Sequence, residues 1–553
     1  MQVQQITRLM AVLLCSLLIV GGAHAQAEMA DQEVSAQLRQ LVHPSVSNDK
    51  AKGDLDRNVA AFYSTREFRP AWNNAATVAA FGAALQTLQN DGLNPDDYGA
   101  GTLADTYRHL YGADLYRHVA SVKPDNANNV AQQRARFDLA TTRAYLMVLK
   151  HLNRGKVDPQ TVDTDSSIES KPFDLDIGAV SQAVDTQTFD TVFDLARPSY
   201  PIYKRLRAGL ARYRDIEHNG GWPTLPSRDE ALRPGERSPD VLILRQRLAA
   251  TGAPVGDAAD PQAYDETLVA AVRSFQRNQY LMDDGVVGKN TRAALNVSVK
   301  DRIDQIRVNL ERARWLLHGL PESYVLVDIA GFQLTYYQPD GSIWRSKVVV
   351  GKPYRKTPSL RSQITYLTFN PTWTIPPTVL QKDILPKVRQ DPGYLRSKRI
   401  HVLNMQGEEI DPASVDWQHP SGIMLRQEPG PNNALGRVIV RFPNEYMVYL
   451  HDTPAQSLFS REQRAFSSGC IRVDNVREFV RLLLNNSKQW SDSDIDRTIA
   501  EGETQNVTLN TPVPVIVHYW TVNVAENGEL TFKPDIYHRD DVLEHALDRA
   551  VTL

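Results

Sequence analysis

One histidine and one cysteine stand near each other in the stretch YLHDTPAQSLFSREQRAFSSGCIRV, which runs from Tyr449 to Val473. A thiol beside an imidazole is sufficient for acyl transfer, because the sulfur attacks a carbonyl while the histidine takes its proton and later returns it to the leaving amine. Read alone, a lone cysteine is more often a small core residue. Cys470 and His451 are therefore a candidate nucleophile and base, and the structural interpretation of each stays open at this point.

The turn that carries the cysteine has the sequence Ser467-Ser468-Gly469-Cys470. Backbone N–H groups around Gly469 and Cys470 are placed to hold a tetrahedral oxyanion, since glycine lets the chain approach closely. The following VDNVREFVRLLLN has helical periodicity, with Asp474 or Asn475 as a plausible N-cap. A thiol near a helix N-terminus and an imidazole is expected to have a pKa below its free value of about 8.5.

Strands are predicted to position this pair. From Tyr324 onward, aromatic and β-branched runs broken by Ala330-Gly331 and Pro339-Asp340-Gly341 predict successive antiparallel strands. In YMVYLH, alternation predicts two faces, one with Met447, Tyr449 and His451 and the other with Tyr446, Val448 and Leu450. A helical, polar insertion from about residue 376 to 420 interrupts the strands. An insertion of this size is often a lid over a site, and a surface decoration is the alternative.

The first 25 residues resemble a secretory signal peptide, with Arg8, an apolar run and an Ala-His-Ala cleavage site. A membrane anchor is the alternative, but the apolar run is shorter than the roughly 20 residues that a spanning helix needs. The mature chain is expected to be exported, to have no transmembrane segment and to keep Cys470 as its sole cysteine. The net charge of −3 gives no indication of nucleic-acid binding.

Two regions precede the strands. Residues 31–220 have the Ala- and Leu-rich spacing of a mostly α-helical domain, whose aromatic stretch FYSTREFRPAW is read as packed core, with a binding platform as the alternative. A linker rich in Gly, Pro and charge follows over 221–237. Residues 238–298 predict three helices around one small core, with Asn290 or Thr291 near the N-cap of the third. The fold class is therefore multidomain α+β.

The histidine, the turn and the cysteine together resemble the L,D-transpeptidase catalytic domain of YkuD type, whose signature is a His followed after a loop by [S/T]-H-G-C-x-N. Ser467, Gly469 and Cys470 match it, whereas Ser468 and Arg472 replace its His and Asn. HDTP with SSGCIRV is closer to the large YcbB-like subgroup, as are FYSTREFRPAW, DGLNPDDY and RGKVDP. Residues 238–298 resemble a peptidoglycan-binding type 1 domain, in which DDGVVGKNT and VRSFQRNQ carry the likeness; a structural spacer remains the alternative.

The resemblance implies a catalytic domain over 323–553 and a reaction on peptidoglycan stem peptides, which serve as donor and acceptor. Cys470 would be acylated by a tetrapeptide stem with release of D-Ala, and an amine of a second stem would resolve the thioester to a 3→3 cross-link. The resemblance also implies reaction with carbapenems and no metal or organic cofactor. It leaves room for other cell-wall synthesis proteins as partners and for action at the periplasmic cell wall.

The same resemblance suggests roles for the remaining site residues. Asp452 or Ser467 would orient the imidazole if a backbone carbonyl does not. Ser468, Tyr449 and Trp373 are candidate substrate contacts, and Arg472 would pair either with a stem-peptide carboxylate or with a structural partner. An L,D-carboxypeptidase, a lipoprotein-anchoring transpeptidase and a wall-binding protein with a relic site remain alternatives. Cysteine peptidase families in which the Cys precedes the His fit less well, because His451 precedes Cys470 in this sequence.

Overall fold

The computed structural model of the protein describes residues 28–42, 50–112, 124–169, 174–391, 393–484 and 489–551. Helices occupy the N-terminal half and a strand-rich region follows, which confirms the predicted multidomain α+β class. The predicted signal peptide lies outside the described residues. No helix within the described ranges is long and apolar enough to cross a membrane.

The N-terminal region is built from helices around an aromatic core. A first helix, α1, covers 28–41. The others are α2 Lys50–Thr65, α3 Ala75–Gln86, α4 Ala100–Tyr111, α5 Pro124–Arg154, α6 Pro159–Val162, α7 Ile177–Thr186, α8 Phe189–Ala196 and α9 Pro201–His218. Phe62 and Trp72 of FYSTREFRPAW are fully buried, and the Trp72 ring stacks 5.7 Å from Phe189. This stretch is therefore packed core rather than a binding platform.

Three short helices form the next unit, namely α10 Pro239–Ala249, α11 Glu266–Asn278 and α12 Lys289–Leu295. Their shared core contains Leu244, Leu268, Val272 and Leu295. Helix α12 begins at Lys289, two residues earlier than an N-cap at Asn290 would give. Gly288, rather than Asn290 or Thr291, occupies its N-cap, and no side chain caps the helix there.

A long helix, α13 Val299–Leu316, connects this unit to the strands and packs against α9. Its Arg314 and Glu311 are fully buried and paired with each other. Arg314 Nη1 also donates to the backbone oxygen of Asp91 at 2.8 Å and to the Tyr203 hydroxyl at 3.0 Å. Because a buried charge is stable only when it is paired, this cluster links α13 firmly to the N-terminal helices.

The C-terminal region contains a nine-stranded sheet in the order β10-β3-β11-β9-β8-β4-β12-β1-β2, in which β2 also pairs with β3, so the ladder closes on itself. Its strands are β1 Tyr324–Asp328, β2 Gln333–Tyr337, β3 Ile343–Gly351, β4 Leu360–Phe369, β8 Val438–Arg441, β9 Leu450–His451, β10 Ala465–Ser467, β11 Ile471–Val473 and β12 Gln505–His518. The helices α17 Val476–Leu484 and α18 Asp492–Glu501 follow β11, and Val480 and Ile495 reach the sheet core. The hairpin β13 Val522–Val524 and β14 Leu530–Phe532 and the helix α19 Asp540–Leu547 end the chain's described structure.

The predicted insertion is a separate small unit within this region. It contains β5 Trp373–Thr374, α14 Pro377–Val379, a π-helical turn Leu380–Ile384, α15 Leu385–Gln390, α16 Tyr394–Ser397, β6 Ile400–Asn404 and β7 Ile423–Gln427. The three strands form their own sheet in the order β5-β7-β6. Buried apolar side chains that include Ile375, Val402 and Leu425 give it a core of its own. The insertion is thus more than the helices that the sequence indicates.

The strand that carries His451 is shorter than its alternating pattern predicts. Met447 has a φ of +53° and is exposed, so the chain turns there and β9 covers only Leu450 and His451. The turn is held by Asn444, whose side chain accepts from the Val448 N–H at 3.0 Å and donates to the Val448 oxygen at 2.8 Å. Val448 and Leu450 still point into the sheet core, as the alternation predicts.

Candidate active site

The two candidate catalytic residues lie at neighbouring strands, His451 at the end of β9 and Cys470 directly before β11. Strands β9 and β11 are parallel, with Leu450 opposite Ile471 and His451 opposite Arg472. Cys470 immediately precedes β11 and lies beside Tyr449, whose carbonyl accepts from the Ile471 N–H at 3.0 Å. Since side chains alternate between the faces of a strand, Cys470 and Arg472 share one face of the sheet with Tyr449 and His451.

Side-chain hydrogen bonds fix the turn before Cys470. Buried Ser467 donates its hydroxyl to the Cys470 carbonyl at 2.6 Å and accepts from the Gly469 N–H at 3.1 Å. Gly469 has a φ of +115°, which a residue with a Cβ rarely adopts. The Gly469 N–H is thus already engaged with Ser467, so the expected oxyanion donor in this turn is the Cys470 N–H. Ser467 orders the turn, and its hydroxyl is not bonded to the imidazole.

A loop from β3 supports the same turn from behind. Fully buried Thr357 donates its hydroxyl to the Gly469 carbonyl at 2.8 Å. Tyr537 accepts from the Thr357 N–H at 3.1 Å and donates to the Gly351 carbonyl at 2.7 Å. The loop passes so close to Gly351 that an added Cβ would lie 2.2 Å from the Arg355 oxygen. These contacts fix the position of the thiol from three separate parts of the chain.

The His451 imidazole is buried and oriented by the main chain. Its Nδ1 lies 2.5 Å from the backbone oxygen of Asp452, so Nδ1 carries the proton and Nε2 is left as the acceptor. Burial and the charge of Arg472 lower the pKa of His451 to about 3, against the opposing effect of the Asp452 and Leu435 carbonyls. The Asp452 carboxylate is occupied elsewhere, because it accepts from the Arg437 N–H at 2.8 Å. Asp452 therefore contacts the imidazole through its carbonyl alone.

The electrostatics of Cys470 differ from the expectation. The thiol is partly buried, and burial raises its pKa above the usual range. Hydrogen bonds from the Tyr449 N–H and hydroxyl oppose this rise, as do the charges of Arg472 and Arg441. The expectation of a lowered pKa is wrong for two reasons: β11 separates Cys470 from the N-terminus of α17, and His451 is neutral. The resting site therefore contains a neutral thiol and a neutral imidazole.

Two guanidinium groups face the same space. Arg441 lies over the Tyr449 ring at 5.4 Å and donates from Nε to the Thr368 hydroxyl at 3.1 Å. Arg472 has a buried Nε without a hydrogen-bond partner in the described part of the chain, and its charge acts on the Cys470 thiol. No carboxylate among the described residues pairs with Arg472. The structural ion pair considered from the sequence is thus not observed there.

Two other sequence candidates, Ser468 and Trp373, make contacts with the insertion or with a residue bound to it. Exposed Ser468 accepts from Arg355 Nη1 at 2.8 Å, and the same nitrogen lies 2.5 Å from the Asp383 carboxylate of the insertion. Arg355 thus connects the insertion to the turn that carries Cys470. Trp373 belongs to β5 and packs against the core of the insertion.

The sequence did not point to several residues of this site. Arg441 had a weak signal, because it is a charged residue within the apolar run of β8. Arg355, Thr357 and Tyr537 had none, since each reaches the site through contacts across more than 100 residues of chain.

Three family models match the N-terminal helices, the three-helix unit and the strand-rich region of the chain. The model described as L,D-transpeptidase catalytic domain, the YkuD family, matches residues 322–515, which include the pair and its supporting loop. A scaffold-domain model matches 57–210 and a peptidoglycan-binding-domain model matches 237–295. The three matches, in this order along the chain, support a YcbB-like L,D-transpeptidase.

A relative and a solved structure show the extent of the likeness. A Haemophilus influenzae protein provisionally named an L,D-transpeptidase is 34% identical over 219 residues, which cover 39% of this chain and 44% of that protein. The chain thus matches less than half the length of this relative. The crystal structure of an L,D-transpeptidase, residues 123–326, from Xylanimonas cellulosilytica is 16% identical and covers 53% of this chain and 100% of its own, with a TM-score of 0.15.

Proposed function

We propose that the protein is a peptidoglycan L,D-transpeptidase that forms 3→3 cross-links through a thioester on Cys470. The observation that carries the proposal is the position of Cys470 and His451 on one face of two adjacent strands within the YkuD-family match. A thiol and an imidazole in such an arrangement have the chemistry for covalent acyl transfer.

Acylation begins from the neutral pair. As the Cys470 sulfur attacks the carbonyl of the third stem residue, His451 Nε2 takes the thiol proton, and the Asp452 carbonyl stabilises the charged ring through Nδ1–H. The Cys470 N–H is the donor proposed for the oxyanion. Collapse of the tetrahedral intermediate breaks the amide bond, and His451 returns its proton to the departing amine of D-Ala.

Transfer repeats these proton movements in reverse. The amine of a second stem attacks the thioester, His451 takes its proton, and the sulfur leaves as the new amide forms. The thiol then recovers the proton from His451, so the enzyme returns to its starting state. Water in place of the amine would make the protein an L,D-carboxypeptidase, and a lipoprotein amine would make it an anchoring enzyme.

Arg472 and Arg441 are proposed to bind a carboxylate of the donor stem. Guanidinium groups match carboxylates with paired hydrogen bonds, and Arg472 has an unpaired Nε beside the thiol. Tyr449 lies between Arg441 and the sulfur and is proposed as a pocket wall that also activates the thiol. The match to a peptidoglycan-binding model supports peptidoglycan as the substrate. It also supports action of the exported protein at the cell wall.

The direct test is incubation of the purified protein with a disaccharide-tetrapeptide, followed by mass spectrometry of the products. Free D-Ala together with cross-linked dimers that contain a 3→3 bond is the expected result. D-Ala with tripeptide alone would indicate a carboxypeptidase. No reaction with folded wild-type protein would refute the proposal and favour a relic site. Dimers formed equally by Cys470→Ala would refute the thioester on Cys470.

A further inference from the structure

A cavity of about 530 Å³ lies between the three-helix module, α9, α13 and the β13–β14 hairpin. It belongs to none of these elements alone, because Arg212 comes from α9, Arg247 from α10, Arg302 from α13 and Glu529 from the hairpin. Its volume is within the range of small-molecule sites. It lies at the junction of the module and the rest of the protein, and neither Cys470 nor His451 lines it.

Positive charge dominates the lining of this interdomain cavity. Three arginines, Arg212, Arg247 and Arg302, face one carboxylate, Glu529, which is itself bonded to the Asn278 amide. Arg302 directs its Nη1 and Nη2 to the amide oxygens of glutamines, and its guanidinium lies 4.4 Å from the Phe532 ring centroid. No carboxylate ion pair of these arginines is found in the described parts of the chain.

Arg247 is the decisive residue. Only 2% of it is exposed, and its Nη1 has no hydrogen-bond partner among the described residues. Its guanidinium lies 3.9 Å from the Trp222 ring centroid, and its Nε donates to the Leu295 carbonyl at 2.7 Å. Stacking and this bond hold the group in place while leaving one nitrogen free. An unsatisfied buried donor of a charged group is costly, so a ligand that supplies an acceptor would be favoured.

The other lining groups indicate what accompanies the acceptor. Hydroxyls of Thr251 and Ser274 and the amides of Asn278 and Asn527 surround the arginines. Such groups bind amides and sugar hydroxyls, whereas a guanidinium binds a carboxylate with paired hydrogen bonds. Burial lowers the pKa of Arg247 to about 10, which still leaves the group charged at neutral pH.

We infer that this interdomain cavity is a second binding site, for a carboxylate of a peptidoglycan stem peptide, with Arg247 and Arg212 as the anion-binding residues. The choice of a stem peptide rests on the proposed function, because that polymer ends its peptides in carboxylates next to amides and sugars. A stem held here is distinct from the donor at Cys470, and it keeps the polymer attached at the junction of module and body.

The test uses the full chain with Cys470→Ala, which prevents turnover, and the disaccharide-tetrapeptide as the probe. Hydrogen–deuterium exchange is measured on peptides that cover 245–254 and 270–279. We expect the probe to slow exchange in both segments, and we expect the same probe with amidated carboxylates to leave exchange unchanged. In Arg212→Glu, the probe concentration that gives half-maximal protection should rise at least about tenfold, since a hydrogen bond to a charged group is lost.

Controls separate folding and function from binding. Arg247→Met should abolish the protection, and if that variant fails to fold, Arg212→Glu still decides, because Arg212 is exposed. Arg237→Met, an exposed arginine of the same module paired with Asp260, should retain full protection. Equal protection by the amidated probe, or protection unchanged in Arg212→Glu, would overturn the inference. Protection without any thioester on wild-type Cys470 would instead refute the proposed function alone.

Discussion

His451 donates its Nδ1–H to the backbone oxygen of Asp452 across 2.5 Å. This bond orients the ring, and burial keeps the ring neutral with a pKa of about 3. A neutral imidazole cannot hold Cys470 as a thiolate by charge pairing. In the proposed mechanism the thiol proton therefore passes to His451 during attack, as in a serine hydrolase, and no ion pair forms beforehand.

The first prediction concerns the pH dependence of Cys470. Burial raises the pKa of the thiol, so the reactive thiolate accumulates at higher pH than for a free cysteine. The rate of alkylation by iodoacetamide should still be increasing above pH of about 8.5, the free value. Mass spectrometry of the Cys470 peptide, after reaction at pH values from about 6 to about 10, measures the alkylation rate.

His451→Gln is the matched control for this profile. Because the imidazole acts only when a substrate reacts, the substitution should leave the alkylation profile nearly unchanged. It should lower acylation by the tetrapeptide by roughly 10² to 10⁴-fold, the usual contribution of a general base. A profile that levels off below pH of about 8.5 in wild type and moves upward in His451→Gln would instead establish an ion pair.

A second prediction concerns Tyr449. Its hydroxyl donates to the Cys470 sulfur, which stabilises the thiolate. Tyr449→Phe should therefore raise the thiol pKa and slow alkylation at pH 8 by roughly threefold to tenfold, since hydrogen bonds to charged groups are the stronger ones. Tyr446→Phe, a nearby tyrosine packed on the sheet core, is the control and should react like wild type. Equal rates for all three proteins would remove this role.

Much of the framework was predictable because the information is local. Runs of β-branched and aromatic residues, broken by Ala330-Gly331 and by Pro339-Asp340-Gly341, define β1 to β3, and helical spacing defines the three-helix module. The prediction that Cys470 and His451 act together also rests on local information, because both residues lie in the stretch from Tyr449 to Val473. Met447 departs from the strand pattern because Asn444 forms side-chain bonds that turn the backbone, and alternation alone does not reveal such bonds.

The electrostatic state of the site was not predictable from the sequence. It depends on burial and on charges brought together by the fold, as with Arg472 opposite His451 and Arg441 over Tyr449. Thr357 and Arg355 contact the turn before Cys470 from a loop more than 100 residues earlier. No local pattern identifies a contact of that kind.

A third prediction concerns the connection between the insertion and the site. Asp383 of the insertion and Ser468 of the catalytic turn share Arg355 Nη1. If the insertion caps the site, Asp383→Asn should raise KM for the stem peptide about twofold to fivefold, with a smaller change in kcat. The effect on KM is small because a partly exposed ion pair contributes at most about 1 kcal/mol. Lys382→Met is the control on the same turn. An unchanged KM would separate this ion pair from substrate binding.

A fourth prediction concerns stability. Glu311→Gln leaves the fully buried Arg314 without its charged partner, which typically costs about 3 to 5 kcal/mol. The midpoint of urea unfolding should fall accordingly. Glu478→Gln is the control, because Glu478 and Arg481 have the same spacing on an exposed helix face and should contribute less than about 1 kcal/mol. Similar shifts for both variants would contradict the assigned importance of burial.

Covalent acyl transfer at Cys470 is the central claim, and intact-mass measurement after incubation with a carbapenem tests it most directly. A sulfur that accepts an acyl group from a stem peptide should also open a strained β-lactam that fits the same pocket. In a chain without residues 1–25, Cys470 is the sole thiol, so one stable adduct per chain is expected. The adduct should map to the Cys470 peptide and be absent from Cys470→Ala. Folded wild-type protein without an adduct, or an adduct that persists after loss of the sulfur, would contradict the mechanism.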